Sequence, residues 1–321
     1  MNNYADYTKD LKVTNHKLPG DWTWHLYSAD IQSKVVKIEN DQLSWFRGGE
    51  NLNKVTISSA TLCTIEIDKR KNQTNKDLKL DLKQTPIRLV ELSGVSKTTI
   101  NSARHLDRLG FEYCEKGTVI LPGDCNIDII DIHANNFTVV GINDTIGGVN
   151  LYDVTNQPQG KISLTGLNCE RVSSSLNIYE FDIADFTSEK LKIQMNFNDT
   201  KVKKISIKNA PNLTSLSILG GAALEDLIVT GTPPMDTASL TECYKLGGPF
   251  SQWPQFLQEM YNNGKSLRFA FKWRYSYVRQ YGGSSPYEFT DNGYGFYFDS
   301  SEPETVDMNK YITAGRYPPG Y

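Results

Sequence analysis

Carboxylates close to a histidine are the first residues of this sequence that could do chemistry. Asp128, Asp131 and His133 lie near one another in the chain, and carboxylate oxygens and imidazole nitrogens are ligands for zinc and other divalent metals. In a β-strand, however, Asp131 and His133 would share a face, and Asp128 would point the other way. The spacing therefore favours solvent-facing polar side chains, and we predict neither a metal site nor a cofactor.

Pairs of acidic residues could instead cleave a polysaccharide. Hydrolysis of a glycosidic bond uses two carboxyl groups about 5–10 Å apart. The candidate pairs are Asp182 with Asp185 and Glu225 with Asp226, but neighbouring residues of a strand point to opposite faces. The sequence also lacks phosphate-binding loops, nucleophile elbows and zinc-protease motifs. We predict no catalytic residue, and a carbohydrate-active enzyme is kept as the alternative function.

The C-terminal part of the chain is rich in aromatic residues that could contact a partner. Aromatic residues alternate with mostly basic ones over 267–277, which predicts a strand, and a β-hairpin is predicted over 287–298. An aromatic strand face is usually buried, whereas tyrosine is favoured at protein interfaces. The residues predicted as an interaction surface are Trp273, Tyr275, Tyr277, Tyr294, Tyr297, Tyr311, Tyr317 and Tyr321.

A sequence repeat indicates which elements position these residues. Apolar residues recur at offsets zero, three and five, and the copies include Leu52/Val55/Ile57, Leu62/Ile65/Ile67, Ile87/Val90/Leu92, Ile127/Ile130/Ile132, Phe137/Val140/Ile142, Val149/Tyr152/Val154, Ile178/Phe181/Ile183 and Val202/Ile205/Ile207. Central residues lie ten positions apart from Val55 to Ile65 and eleven apart from Ile205 to Leu216. Each copy has room for one short strand and one corner, so two copies predict a coil of about 20–22 residues.

Coils of this size cannot bury their apolar faces alone and must stack on one another. The segments 212–218 (NLTSLSI) and 223–229 (ALEDLIV) resemble the L-x-x-L-x-L core of leucine-rich repeats. Their close spacing resembles the irregular leucine-rich-repeat proteins of Bacteroidetes and their phages. The resemblance implies a mainly β, leucine-rich-repeat-like β-solenoid. Because the spacing leaves no room for helices on the convex side, we expect a flat solenoid with two or three sides; a β-sandwich is the alternative.

The predicted organisation has three parts. An N-terminal cap covers 1–34, the solenoid covers 35–232, and a small α+β region for capping or interaction covers 233–321. A helical insertion is predicted over 96–122, because Ile100, Ala103, Leu106 and Leu109 recur at helical spacing.

Three further segments stand out from the repeat. A helix is predicted between Ser251 and Gly264, with Phe256, Leu257 and Met260 on its buried face. The basic segment 69–76 predicts a solvated corner, with a phosphate contact as its alternative. The serine-rich segment 169–177 predicts a loop.

Composition limits the classes of partner. With 34 basic and 37 acidic residues the net charge is −3, which gives no overall attraction for nucleic acid. No apolar stretch reaches the ~20 residues of a membrane span, so membrane insertion is not expected. The five scattered cysteines predict reduced, buried thiols. The N-terminus lacks an apolar leader, so we expect synthesis in the cytoplasm, with incorporation into a virion as a hypothesis.

These observations favour a non-enzymatic binding or structural protein that presents a solenoid surface. A component of a large assembly, such as a phage virion or tail, is our first hypothesis, with protein partners in an oligomer or a multi-component complex. The alternative is a carbohydrate-binding or polysaccharide-cleaving solenoid, such as a surface adhesin or a tailspike-like depolymerase, with a host surface glycan as its partner.

Overall fold

The computed structural model describes residues 11–13, 24–28, 34–72, 76–101, 103–123, 125–152, 160–174, 178–195, 201–221, 223–233, 235–241, 243, 246, 254–271 and 296–299. The chain forms a parallel β-solenoid of about 9 turns and is mostly strand. This architecture confirms the predicted mainly β fold class. Among the described residues, no helix has the length and apolar character needed to cross a membrane.

The coils are built from short strands in chain order. They are β1 (Leu11–Val13), β2 (Trp24–Ser28), β3 (Val35–Glu39), β4 (Leu43–Gly48), β5 (Lys54–Ser58), β6 (Cys63–Asp68), β7 (Leu78–Asp81), β8 (Ile87–Ser93), β9 (Lys97–Asn101), β10 (His105–Ile120), β11 (Asn126–Tyr152), β12 (Gly160–Cys169), β13 (Arg171–Ser174), β14 (Ile178–Ala184), β15 (Lys190–Met195), β16 (Lys204–Lys208), β17 (Ser215–Leu219), β18 (Asp226–Thr230), β19 (Thr237–Thr241), β20 (Ser266–Phe271) and β21 (Phe296–Asp299). One helix, α1 (Gln255–Asn262), lies between β19 and β20.

Alternate strands pair in parallel and form two stacks. The first sheet contains β1, β3, β5, β7, β9, the end of β10, the middle of β11, β12, β14, β16 and β18. The second sheet contains β2, β4, β6, β8, the start of β10, the two ends of β11, β13, β15, β17, β19 and β20. The final strand, β21, pairs antiparallel with β20. Parallel pairing therefore continues on both sides of the predicted solenoid range, 35–232.

The apolar residues of the repeat form one narrow core between the two sheets. In the second sheet Ile65, Val90, Leu109 and Ile130 lie in register on successive coils, and all are fully buried. The offset of three arises because two consecutive residues face outward at a bend, so that inward positions are three residues apart there and two apart in the strand. The alternation of core and surface residues confirms the predicted stacking.

In the predicted copy that starts at Leu62, Leu62 is 48% exposed and Cys63 is buried in its place. Two further copies, which are adjacent in the chain, also have wrong inward residues. In the copy that starts at Phe137, the buried side chain is Val139, whereas Val140 is half-buried and Ile142 is 67% exposed. In the next copy Leu151 is buried in place of Tyr152. Both segments belong to the long strand β11, where the inward positions follow period two in place of the bent offset of three.

The helical insertion predicted over 96–122 was wrong. Its described residues form β9 and β10, both within the stacks. Leu106 and Leu109 lie three residues apart because they flank a bend of the second sheet, with their side chains in the core. A bent strand and a helical face both produce this spacing, so the pattern alone did not distinguish the two.

The other predicted segments had mixed outcomes. The helix near the C-terminus is confirmed as α1, with Phe256, Leu257 and Met260 buried, and Gly264 follows it with φ +64°. The predicted loop over 169–177 was wrong in its described part, since Arg171–Ser174 is the strand β13. All five cysteines are buried thiols, as predicted.

The basic segment 69–76 is only in part the solvated corner that its composition predicted, because Arg70 and Lys71 are exposed but Lys69 is not. Its first residue, Lys69, is fully buried. The Lys69 Nζ donates hydrogen bonds to the carbonyl oxygen of Leu52 and, at 3.0 Å, to that of Asp77. Side-chain length explains the difference, because a lysine can carry its ammonium group under a corner and satisfy carbonyl oxygens of two neighbouring coils.

One buried polar side chain predicts a stabilising substitution. Thr98 lies between Leu78 and Val119 in the core ladder, is fully buried, and its Oγ1 has no hydrogen-bond partner. Replacement by isosteric valine removes an unsatisfied hydroxyl, so we expect Thr98→Val to raise the free energy of unfolding by about 1–2 kcal/mol. Urea unfolding measures this change. The half-buried Thr99 faces outward, and an equal gain from Thr99→Val would contradict the explanation.

Candidate functional site

The second sheet has two consecutive glycines in β11, Gly147, which is exposed, and Gly148, which is buried beneath the Arg171 guanidinium group. This part of β11 lies directly on the coil that precedes it, where the Thr145 N–H donates to the Cys125 carbonyl oxygen at 2.9 Å. A Cβ atom at Gly147 would lie 2.6 Å from the carbonyl oxygen of Asp128. The backbones approach so closely that only glycine fits at position 147.

Gly147 leaves a gap in the outer surface of the sheet, whereas the Arg171 guanidinium group lies over Gly148. Neighbouring coils carry full side chains at the same bend, Asp128 on one side and Glu170 and Arg171 on the other. The resulting open groove has a volume of about 690 Å³. It is lined by Asp128, Gly147, Glu170, Arg171, Lys190, Leu191, Lys192, Ser215 and Ser217, and we call it the glycine groove.

Different parts of the glycine groove carry different kinds of polar side chain. Asp128 and Glu170 supply hydrogen-bond acceptors. On the coils beyond the glycines, Arg171 of β13 lies in register with Lys192 of β15. Lys190 and Lys192 are in turn in register with Ser215 and Ser217 of β17. The groove therefore places carboxylates, cations and hydroxyl groups along one outer face, across five successive coils.

The predicted group of Asp128, Asp131 and His133 is divided by the structure. The Asp131 carboxylate is buried; it accepts hydrogen bonds from Arg108 Nε and, at 2.9 Å, from Asn150 Nδ2. His133 stacks on the Tyr152 ring of the next coil, with ring centroids 4.4 Å apart. Only Asp128 lies at the groove. Asp131 and His133 stabilise contacts between coils and are not placed to bind a metal together with Asp128.

Asp128 instead joins two residues that the sequence did not group with it. His105, Asp107 and Asp128 each offer one possible metal-ligand atom, and these atoms lie within 4.8 Å of one another. The His105 Nε2 is 3.1 Å from Asp107 Oδ1 and 3.9 Å from Asp128 Oδ2. The group is the one among the described residues that could hold a divalent cation. Sequence spacing could not identify it, because the register between two coils brings Asp128 next to Asp107.

The carboxylates considered for glycosidic cleavage have partners elsewhere. Asp182 Oδ2 is 2.5 Å from Lys161 Nζ on the first sheet. Asp185 lies in a corner with φ +51° and accepts a hydrogen bond from the Asn209 side chain.

Glu225 and Asp226 are paired in the same way. Glu225 Oε1 lies 3.6 Å from Lys203 Nζ, and Asp226 Oδ2 lies 4.0 Å from Lys204 Nζ. Each candidate carboxylate is thus held by a cation or an amide, and none of the four lines the glycine groove.

The predicted aromatic interaction surface lies almost entirely outside the described residues. This applies to Trp273, Tyr275, Tyr277, Tyr294, Tyr311, Tyr317 and Tyr321. Tyr297 belongs to β21, whose backbone pairs with β20. The interaction role of these residues stays a prediction.

The residues of the glycine groove were missed by sequence reasoning. One signal was present, since two consecutive glycines inside a strand mark a close backbone approach. The cations of the groove gave no signal, because Arg171 was placed in a loop and the contact of its coil with Lys192 depends on pairing between distant strands.

No protein-family model, curated protein or solved structure matches the chain. Function must therefore be inferred from the geometry of the fold and of the glycine groove.

Proposed function

We propose that the chain is a non-catalytic carbohydrate-binding protein and that the glycine groove is its ligand site. The observation that supports this function most directly is the groove itself, an open channel across several coils of a rigid sheet. Its lining places hydroxyl groups, carboxylates and cations around apolar surface that is larger in area than the polar surface. Sugars present hydroxyl groups that both donate and accept hydrogen bonds, together with apolar C–H faces, so a mixed lining of this kind suits a polysaccharide.

None of the four carboxylates considered for glycosidic cleavage lies in the groove. A glycosidase needs one carboxyl group as a proton donor and a second as base or nucleophile, both facing the scissile bond. The candidate carboxylates Asp182, Asp185, Glu225 and Asp226 lie away from the groove and are held by neighbouring side chains. Asp128 and Glu170 line the groove and supply acceptors for sugar hydroxyl groups.

Filling the groove with leucine side chains tests this function. Ser215 and Ser217 face outward on the regular strand β17, so Ser215→Leu/Ser217→Leu adds bulk without a change in the core. We expect at least one member of a panel of neutral and acidic polysaccharides to bind the wild type, and the double variant to bind it at least about tenfold more weakly. Isothermal titration calorimetry measures both affinities.

The control is Ser163→Leu/Thr165→Leu, at outward positions of β12 on the opposite sheet. This variant should bind like the wild type. The proposal is overturned if no polysaccharide binds, if both double variants lose binding equally, or if reducing ends are released during incubation, since that result would show an enzyme.

A second candidate function is that of a structural component in a large assembly. The observation that favours it is the aromatic C-terminal sequence, which includes Tyr311, Tyr317 and Tyr321, because tyrosine is enriched at protein interfaces. A phage virion or tail is the assembly suggested by the resemblance to irregular leucine-rich-repeat proteins. Light scattering of the purified full chain tests this role: a monomer of 36.2 kDa at all concentrations would argue against self-assembly.

A further inference from the structure

Some cations on the outer faces of the solenoid lie beside carboxylates of an adjacent coil. On the first sheet, Lys161 Nζ lies 3.5 Å from Glu180 and 2.5 Å from Asp182 on the adjacent coil. On neighbouring coils of the same sheet, Lys204 Nζ lies 4.0 Å from Asp226. Such cross-strand pairs of opposite charge stabilise a sheet, whereas like charges directly opposite one another destabilise it.

The cations of the glycine groove lie beside one another instead, and three of them share one wall. Arg171 and Lys192 are directly opposite each other on adjacent coils, and Lys190 is two residues from Lys192 on the same strand. Within the described part of the chain, none of these three side chains forms an ion pair. Three positive charges at one wall of a groove therefore repel one another unless an anion lies between them.

We infer that the glycine groove selects acidic polysaccharides, whose carboxylate or sulfate groups bind between Arg171, Lys190 and Lys192. This inference rests on the proposed carbohydrate-binding function and adds the class of ligand. Adjacent coils are about 4.8 Å apart and alternate residues of a strand about 7 Å apart. The three cations are therefore spaced for the acidic groups of one or two sugar units.

The remaining lining residues match the uncharged part of such a ligand. The hydroxyl groups of Ser215 and Ser217 lie on the coil next to the lysines and can donate to or accept from sugar hydroxyls. Arg171 presents a planar guanidinium group, which can form two parallel hydrogen bonds to a carboxylate or a sulfate. Asp128, on the other side of the glycine gap, accepts from hydroxyl groups and disfavours a second acidic group at that end.

Nucleic acid fits this groove less well, although it is also a polyanion. The groove lining contains no aromatic side chain for base stacking, and single-stranded nucleic acids commonly bind on such aromatic platforms. The net charge of −3 also opposes the long phosphate backbone more than it opposes a ligand that contacts three cations.

The experiment compares polymers that differ in charge alone. Polygalacturonate and chondroitin sulfate are titrated against the full chain by calorimetry, beside methyl-esterified polygalacturonate and desulfated, methyl-esterified chondroitin. We expect at least one acidic polymer to bind at least about tenfold more tightly than its neutral form. Arg171→Gln/Lys192→Gln should remove this preference.

The matched control is Lys54→Gln/Lys79→Gln. These two lysines are also in register on adjacent coils, but they lie on the first sheet and outside the groove. The control should bind the acidic polymer like the wild type. Equal loss of affinity in both variants would show unspecific attraction and overturn the inference.

The remaining outcomes separate the two proposals. If neutral and acidic polymers bind equally and Ser215→Leu/Ser217→Leu weakens both, the acidic specificity is wrong and carbohydrate binding stands. If no polymer of either kind binds, both proposals fall. Circular dichroism and thermal unfolding of each variant exclude loss of the fold as the cause of lost binding.

Discussion

Replacing Asp144 by alanine is expected to lower the free energy of unfolding by about 2–4 kcal/mol. The Asp144 carboxylate is fully buried at a corner of the solenoid. One of its oxygens accepts a hydrogen bond from the Cys125 N–H at 3.1 Å, and the other accepts from the Ile142 N–H at 2.9 Å. One side chain thus joins two successive coils at the corner before the glycine groove.

The effect is large because alanine would leave the N–H groups of Cys125 and Ile142 without the carboxylate that accepts their hydrogen bonds. Hydrogen bonds to a charged acceptor contribute about 1.5–3 kcal/mol each, and a buried N–H without a partner costs about 1–3 kcal/mol. Urea unfolding followed by circular dichroism measures the loss. Asp128→Ala is the control, because the Asp128 side chain is 61% exposed and its replacement should change stability by less than about 0.5 kcal/mol. Equal losses in the two variants would contradict this account.

The repeat could be predicted from sequence because burial imposes it. Each coil must bury one face of its strands, as the side chains of Val55 and Ile57 illustrate. Apolar residues therefore recur from coil to coil whatever the length of the corners that connect the strands. Corners vary in length: Val55 pairs with Val36 on one side and Leu80 on the other, and Leu80 lies further from it along the chain than Val36 does. The sequence therefore indicated stacked coils, while the residues that face inward at each bend had to come from the structure.

The incorrect prediction of a helix over 96–122 also arose from the bends of the strands. Inward residues at a bend are three apart, as Leu106 and Leu109 are, and three is also a helical spacing. The second sheet contains such bends repeatedly, so a helix cannot be inferred from that interval without a longer run of periodic residues. In α1, by contrast, the buried Phe256, Leu257 and Met260 follow spacings of one and three that a strand does not place on one face.

The glycine groove depends on contacts between coils, which the sequence does not encode locally. Gly147 lies over Asp128, and Arg171 lies beside Lys192. These neighbours are about one coil apart in the chain, at intervals that change with each corner. Residue types alone pointed to Asp182 and Asp185 as candidate site residues. The register of the second sheet, by contrast, places Arg171 beside Lys192 in the groove.

Lys69 predicts a dependence of stability on pH that no surface lysine should show. Its side chain is fully buried, and its ammonium group contacts the carbonyl oxygens of Leu52 and Asp77 and the side-chain oxygen of Asn53. Burial disfavours the charged form and lowers the pKa of Lys69 from 10.5 to about 8, although the Asp77 carboxylate acts in the opposite direction.

The sign follows from proton binding in the two states. Between about pH 8 and about pH 10.5 the folded protein has lost the Lys69 proton while the unfolded chain keeps it, so the free energy of unfolding rises with pH. Over the interval between these two pKa values the free energy of unfolding should rise by about 3 kcal/mol. Below about pH 8 both states are protonated and this contribution does not change with pH.

The measurement is the difference in unfolding free energy between the wild type and Lys69→Met across this range. Methionine keeps the apolar stem and removes the charge, so the groups that titrate elsewhere cancel in the difference, which should increase by about 3 kcal/mol from pH 8 to about pH 10.5. Lys71→Met, at an exposed neighbour, should give a flat difference. If the two variants behave alike, the ammonium group of Lys69 is solvated, and its corner does not join the coils in the way its contacts indicate.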